Sequence, residues 1–141
     1  MNYASVVRIL ALVMLILAGS SLPAILTALA YGENEQVFAF LAMVLGISVI
    51  STSILFLTPR PKQKARPSDA LGLVLLWWFL APVAACLPFV VGVQNASLLQ
   101  AIHEATACLT TTGQSVIAVE GNLWPASLIV WRGTLHLLGG A

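Results

Sequence analysis

The residues of this chain that could do chemistry are concentrated in one polar stretch, residues 110–115, which reads TTTGQS. Threonine is a poor helix former and Gly113 permits a positive φ, so we expect a helix to end near Leu109 and the chain to turn there. Irregular backbone at membrane depth is tolerated only where it is buried in protein or lines a water-filled path. Such a segment can direct carbonyl oxygens at an axis, and a ring of carbonyls can replace the hydration shell of a potassium ion. The stretch is therefore a candidate ion filter if the surrounding elements hold it inside a membrane.

The composition favours a membrane protein. Of the 141 residues, 60% are hydrophobic and 8% are charged, whereas a soluble domain has about 45–50% apolar and about 25% charged residues. A soluble domain of this size cannot hide so much apolar surface from water. The hydrophobicity excludes a disordered chain, and a net charge of +1 gives no electrostatic case for binding nucleic acid.

Long gaps between charged residues predict the membrane-spanning helices. No charge occurs between Arg8 and Glu33, between Glu35 and Arg60, or between Asp69 and Glu104, and each gap exceeds the roughly 20 residues that a spanning helix needs. The predicted spans are residues 5–30, 37–57 and 70–91, and a further apolar run covers residues 123–141. A cleaved signal peptide is the alternative for the first span, but the apolar run is longer than the 7–15 residues usual for such a segment.

The charges of the connecting loops predict the orientation. Residues 58–69 (TPRPKQKARPSD) hold four basic residues and one acid, whereas residues 31–36 (YGENEQ) hold two acids and no base. Basic residues near helix ends stay in the cytoplasm, so the N-terminus and the basic loop are predicted inside and Glu33 outside. Trp124 is then a candidate anchor at the outer interface. The alternative for the basic loop is a docking patch for lipid headgroups or for a protein.

A helix too short to cross the membrane precedes the polar stretch. Residues 97–109 have helical character, with Asn95 or Ser97 as the cap. At 1.5 Å per residue this helix measures about 20 Å, which makes it a re-entrant candidate. Its apolar residues share one face at helical spacing: Leu98, Ile102, Ala105 and Leu109.

Two charged residues flank the candidate filter in sequence. Ionisable residues inside a membrane are functional candidates, so Glu104 either lies behind the filter or makes a structural hydrogen bond at its outer mouth. Arg132 either pairs with Glu104 or Glu120 or extends its charge to an interface. Gly139 and Gly140 are expected to allow a close approach between helices.

Residues 103–113 (HEATACLTTTG) resemble the first pore loop of the Trk/Ktr/HKT potassium transporter superfamily, in particular its bacterial TrkH branch. The resemblance extends through residues 128–132 (LIVWR) and 136–140 (HLLGG), and upstream to residues 59–61 (PRP) and 67–70 (PSDA). It covers residues 58–141 well, whereas the first two helices match only in hydropathy and position.

The resemblance implies an all-α membrane fold in which four helix–pore loop–helix repeats surround one axis. This chain would hold a leading pair of transmembrane helices (1–57), a basic cytoplasmic loop (58–69) and an incomplete first repeat (70–141) with a re-entrant half-helix. It would then be the N-terminal portion of a longer transporter, cut within its last helix.

The resemblance also implies which residues form the site. The selectivity filter would comprise Thr111, Thr112 and Gly113, flanked by Thr110 and Gln114. Glycine at the central position goes with preference for potassium over sodium in this family. Glu104 and Arg132 are candidate supports of that filter.

The expected function is potassium uptake across the bacterial inner membrane, without enzymatic chemistry and without an organic cofactor. The expected partners are the lipid bilayer, the remaining repeats of the full-length chain, a second copy in a homodimer and a cytoplasmic nucleotide-binding regulator of the TrkA type. Two alternatives remain open. One is a non-conducting membrane fragment or accessory subunit, and the other is a small cation channel of four identical chains.

Overall fold

The computed structural model describes residues 3–60, 66–117 and 124–140, and all regular structure in these ranges is helical. Seven helices follow one another there, and their bounds are α1 (Tyr3–Gly19), α2 (Leu22–Ala30), α3 (Asn34–Leu57), α4 (Pro67–Ala85), α5 (Leu87–Gly92), α6 (Leu98–Leu109) and α7 (Ala126–Gly140). Two of the four basic residues of the 58–69 loop, Lys62 and Lys64, lie outside the described residues, as does Glu120, the alternative partner predicted for Arg132.

Three helical stretches are long and apolar enough to cross a membrane: Tyr3–Ala30, Asn34–Leu57 and Pro67–Gly92. They coincide with the three predicted spans, which confirms an all-α membrane protein. Their outer faces carry large exposed apolar side chains, such as Phe56 and Leu57 near the end of α3. Exposed apolar surface of this extent is expected where helices meet lipid or further protein.

The first span was predicted as one helix, but the structure divides it at Ser20 and Ser21. Pro23 occupies the first turn of α2, and its missing N–H and its ring interrupt the hydrogen bonds of a continuous helix. The hydroxyls of Ser20 and Ser21 donate to carbonyls three residues earlier, at 2.6 and 2.7 Å. The Ser20 hydroxyl thereby supplies a donor to the Leu17 carbonyl at the interruption, and the Ala18 carbonyl accepts from both the hydroxyl and the N–H of Ser21.

The third span is also interrupted, at Cys86 between α4 and α5, and α7 compensates for the interruption. The Phe89 N–H, which in a continuous helix would bond to Ala85, donates to the Cys86 oxygen at 3.0 Å. The freed Ala85 oxygen accepts instead from Trp131 Nε1 at 3.2 Å. Trp131 is completely buried, so this bond ties the middle of α7 to the interruption.

Replacing Trp131 by phenylalanine should destabilise the protein by about 1–3 kcal/mol, because the buried Ala85 carbonyl loses its donor. The measurement is the thermal unfolding midpoint in detergent, which we expect to fall by several degrees. Trp78→Phe is the matched control, because the Trp78 indole is 38% exposed and makes no hydrogen bond within the described residues. Equal midpoints for both variants would contradict the assigned bond.

The helices pack so that the basic start of α1 lies beside the end of α3. Arg8 Nη1 donates to the Leu55 oxygen at 2.9 Å and to the Thr58 oxygen at 2.6 Å. A cation is favourable there because the last carbonyls of a helix are unpaired and carry partial negative charge. The start of α1 and the start of the 58–69 loop therefore share one end of the described structure. Farther along, α2 packs on α7, and α6 lies against both α4 and α7.

Candidate functional site

Helix α6 begins at a reciprocal cap that its sequence specifies. The Ser97 hydroxyl accepts from the Gln100 N–H at 3.2 Å, and the Gln100 side-chain oxygen accepts from the Ser97 N–H at 2.9 Å. Of the two predicted caps, Ser97 is therefore the one used, and Asn95 lies in the preceding turn with a φ of 65°. The two bonds satisfy otherwise free amide donors and fix where the short helix starts.

The helix ends at Leu109, as predicted, and the chain turns at Thr111 and Gly113. Gly113 has a φ of 68° and its N–H donates to the Ala107 oxygen at 3.1 Å. Thr111 has a φ of 59°, which is rare for a β-branched residue and was not predicted. Non-glycine residues in this conformation occur where the surrounding structure imposes it, often at functional sites.

The turn leaves a run of backbone carbonyls unpaired. Within the described residues, the oxygens of Thr110, Thr111 and Thr112 accept no hydrogen bond. These residues are also exposed. They follow the C-terminus of α6, where the helix dipole adds partial negative charge. Free carbonyls and this dipole together are chemically suited to a desolvated monovalent cation.

The threonine hydroxyls fix the shape of the turn. Thr110 Oγ1 donates to the Thr106 oxygen at 2.9 Å and lies 2.9 Å from Thr112 Oγ1. Gln114, the outermost of the predicted site residues, is exposed. A shallow groove runs beside the turn, and its polar lining residues are His103, Thr106, Thr110, Thr112 and Gln114.

A buried ion pair lies behind the turn. Glu104 is completely buried, and its Oε1 lies 3.2 Å from Arg132 Nη2, while Arg132 keeps 26% of its side chain exposed. The second carboxylate oxygen, Oε2, accepts from the Ser115 hydroxyl at 2.8 Å. Because Ser115 follows the turn and Glu104 precedes it, this bond closes the segment into a hairpin along α6.

Arg132 also contacts the turn itself. Its Nη2 lies 3.4 Å from the Gly113 oxygen, a long hydrogen bond. Its guanidinium carbon lies 4.8 Å from the Trp124 ring centroid, and that ring packs edge-on against Phe89. Of the two partners considered for Arg132, the structure places Glu104 beside it, and Glu120 lies outside the described residues. Trp124, predicted as an interface anchor, forms one wall around the guanidinium.

His136 is a neighbour of the turn that sequence reasoning missed. Its Nδ1 lies 2.7 Å from the Arg132 oxygen one turn earlier in α7. A Cβ added to Gly113 would lie 3.4 Å from His136 Nε2. The spacing of four residues from Arg132 was the available signal, because such residues share a helix face.

The apolar face predicted for α6 is only partly its packed face. Ala105 and Leu109 are completely buried, but Leu98 is 61% exposed. The buried face instead includes Glu104, because its ion pair with Arg132 offsets the cost of burying the carboxylate. Periodicity of apolar residues could not reveal a charged residue that a distant helix neutralises.

Gly139 brings α7 against the end of α6. A Cβ added there would overlap the Leu109 carbonyl oxygen and lie 2.6 Å from the Leu109 carbonyl carbon. At Gly140 the added atom would lie 3.6 Å from Thr111 Cγ2, an ordinary contact. The predicted close approach is therefore confirmed, and Gly139 is the residue that requires it.

Comparison with known proteins gives relatives over nearly the whole chain. The chain is 28% identical over 141 residues to the Trk system potassium uptake protein TrkH of Vibrio parahaemolyticus, covering 99% of this chain and 29% of that protein. It is 29% identical over 143 residues to TrkH of Halomonas elongata, with the same two coverages. It is 26% identical over 122 residues to TrkG of Escherichia coli, covering 86% of this chain and 25% of the relative. No family model matches the chain.

The fold agrees with these sequence matches. The crystal structure of the potassium transporter TrkH from Vibrio parahaemolyticus superposes with a TM-score of 0.87 at 28% identity, covering 99% of this chain and 30% of that one. The chain thus spans less than a third of the length of the relatives it matches, which are named as potassium uptake proteins and not as enzymes. The predicted resemblance is confirmed: in sequence and fold, this chain matches the N-terminal portion of the TrkH branch.

Proposed function

We propose that this chain takes part in potassium uptake across the bacterial inner membrane by supplying the first of four pore loops. The observation that carries the proposal is the run of unpaired carbonyls at Thr110, Thr111 and Thr112, directly after a capped helix of 12 residues. Unpaired backbone groups cost several kcal/mol in a membrane interior unless water or an ion satisfies them. Similarity to proteins named for potassium uptake supports potassium as that ion.

In this proposal the filter comprises Thr111, Thr112 and Gly113, with Thr110 and Gln114 at its ends. The threonine carbonyls are the main ligands of the cation, because the Gly113 oxygen already accepts from Arg132. Glu104 and Arg132 support the filter as a neutral pair, so the turn is fixed without placing an unbalanced charge beside the ion.

The domain division and the orientation belong to the same proposal. The helix pair 1–57 precedes the basic loop 58–69, and the first repeat occupies residues 70–141. The basic loop and the N-terminus face the cytoplasm, where a nucleotide-binding regulator of the TrkA type would act. Glu33 and the start of α6 face outward. Two copies of the complete protein form a homodimer.

Complementation tests the proposed function. The complete gene product should restore growth of a potassium-uptake-deficient bacterium at low potassium, and radiolabelled rubidium should enter those cells. Normal membrane expression without growth or uptake would overturn the proposal in favour of a non-conducting subunit. Crosslinked tetramers of a chain that ends at Ala141, together with uptake, would indicate a small channel instead.

Replacing Gly113 by serine should weaken the discrimination between potassium and sodium about tenfold. The positive φ costs a side chain about 1–2 kcal/mol, and the new Cβ would contact His136 at 3.4 Å, so the adjoining carbonyls shift. The measurement is the ratio of potassium to sodium uptake at equal protein amounts. Gly133→Ser is the matched control, because a Cβ at Gly133 meets nothing within 4 Å. Unchanged selectivity in Gly113→Ser would contradict the filter assignment.

A further inference from the structure

The carboxylate of Glu33, in the loop between α2 and α3, caps a helix that lies far away in sequence. Its Oε1 accepts from the Ala126 N–H at 2.7 Å, and its Oε2 accepts from the Ser127 N–H at 3.2 Å. The Ser127 hydroxyl, on a completely buried residue, donates to the same Oε2. The first amides of a helix have no partner within it, and an anion there is also favoured by the helix dipole. Both oxygens of Glu33 are thus used to hold the start of α7.

The local structure of the loop directs Glu33 to α7 and not to its own helix. Glu33 is the residue before α3, yet its side chain makes no cap bond to α3. The preceding Gly32 has a φ of 71°, and the Glu33 N–H donates to the Ala28 oxygen at 2.8 Å. These features anchor the loop to the end of α2, so the backbone that carries the Glu33 carboxylate is held in place.

The capped end of α7 leads directly to the proposed filter. Arg132 follows Ala126 by six residues, or less than two helical turns. Its guanidinium contacts three neighbours: the Glu104 carboxylate at 3.2 Å, the Gly113 oxygen at 3.4 Å and the Trp124 ring at 4.8 Å. Arg132 belongs to α7, so its position against these neighbours follows from where α7 begins. A short rigid helix transmits a shift of its first turn to Arg132, and Arg132 contacts the filter turn.

We infer that Glu33 is a positioning residue for ion selectivity: through the first turn of α7 it sets the position of Arg132 against Gly113. This inference rests on the proposed function and deepens it, since it gives the leading helix pair a role in the filter of the following repeat. Glu33 acts here through hydrogen bonds to α7 and not through its negative charge at the outer surface.

The test replaces Glu33 by glutamine in the complete gene product and measures the ratio of potassium to sodium uptake at equal membrane protein. Glutamine keeps the size of the side chain but removes the charge and one acceptor. We expect the ratio to fall about fivefold, which is the equilibrium factor that corresponds to the loss of one good helix cap.

Glu35→Gln is the matched control, because Glu35 is exposed, lies in the same outer segment and makes no hydrogen bond within the described residues. That variant should keep the ratio within about twofold of the original.

A second variant separates positioning from a general loss of structure. Ser127→Ala removes only the hydroxyl donor to Glu33 and should lower the ratio by a smaller factor. In the double variant the two losses should be less than additive, because both changes weaken the same set of hydrogen bonds. Should Glu33→Gln fail to accumulate, Ser127→Ala still tests the inference, and an unchanged ratio in it would overturn the positioning role.

The outcomes distinguish the inference from the proposed function. If the complete gene product without substitutions transports no potassium, the proposed function is overturned. An unaltered protein that carries potassium, with an unchanged ratio in Glu33→Gln, overturns the inference alone. An equal loss in Glu33→Gln and Glu35→Gln also overturns it, because outer surface charge would then be the cause.

Discussion

Replacing Gly139 by alanine should destabilise the protein by about 3 kcal/mol or more, the upper range for overpacking a core. The added Cβ would overlap the Leu109 carbonyl oxygen and lie 2.9 Å from the Leu109 Cα. These are backbone atoms and cannot move aside as a flexible side chain would. Relief requires α7 to move away from the end of α6, which is also where the turn of the proposed filter begins. The thermal unfolding midpoint in detergent measures the effect, and we expect selectivity to fall in any protein that still folds.

The same helix offers matched controls for Gly139→Ala. At Gly133 an added Cβ meets nothing within 4 Å, and at Gly140 it makes an ordinary contact at 3.6 Å. Alanine at Gly133 should be neutral or stabilising by up to about 1 kcal/mol, because alanine is the better helix former. Should Gly139→Ala unfold at the same temperature as Gly133→Ala, the close approach between α6 and α7 would be refuted.

Replacing Arg132 by glutamine should cost about 3 kcal/mol, because the completely buried Glu104 carboxylate loses the only cation near it among the described residues. We place the effect at the lower end of the range for breaking buried pairs because Arg132 is 26% exposed. The Gly113 oxygen loses its contact as well, so potassium uptake should fall together with stability. Thermal unfolding and rubidium uptake measure the two effects.

A second substitution shows whether the buried charge is the cause. Glu104→Gln alone should cost less than Arg132→Gln, since the arginine can turn to solvent and to Trp124. The Glu104→Gln/Arg132→Gln double variant should be more stable than Arg132→Gln, because no unpaired charge remains buried. Strict additivity of the two single effects would rule out the ion pair as a stabilising contact.

Much of the fold could be predicted from the sequence because a membrane demands long apolar helices. The three spans, the short helix ending at Leu109 and the positive φ at Gly113 all follow from local composition and chain length. The sequence predicted that Arg132 pairs with an acidic residue, since a charge inside a membrane needs a partner. Its choice of Glu104 depended on how α6 and α7 pack, which the sequence left open.

Other features of the site could not be predicted because they join residues that are distant in the chain. From the sequence, Glu33 is expected to be an acidic residue of an outer loop. In the structure it caps α7 at Ala126, 93 residues later. From the sequence, Trp131 is expected to be an ordinary apolar residue of the last helix. In the structure its indole N–H donates to the Ala85 carbonyl, which the α4–α5 interruption leaves free. Neither bond has a periodicity or a motif, since each joins residues of separate elements that only packing brings together.

The sequence by itself thus determined that the chain enters a membrane, where its three apolar spans lie and that a short capped helix leads into a Thr/Gly turn. Hydropathy, helix capping and the positive φ of glycine depend on residues that are close in the chain, so the sequence is enough to predict them. Only the tertiary structure decided what holds that turn: Glu104 with Arg132 behind it, Gly139 beneath the end of α6 and Glu33 at the start of α7. These contacts join separate helices, so close packing alone selects which residues meet.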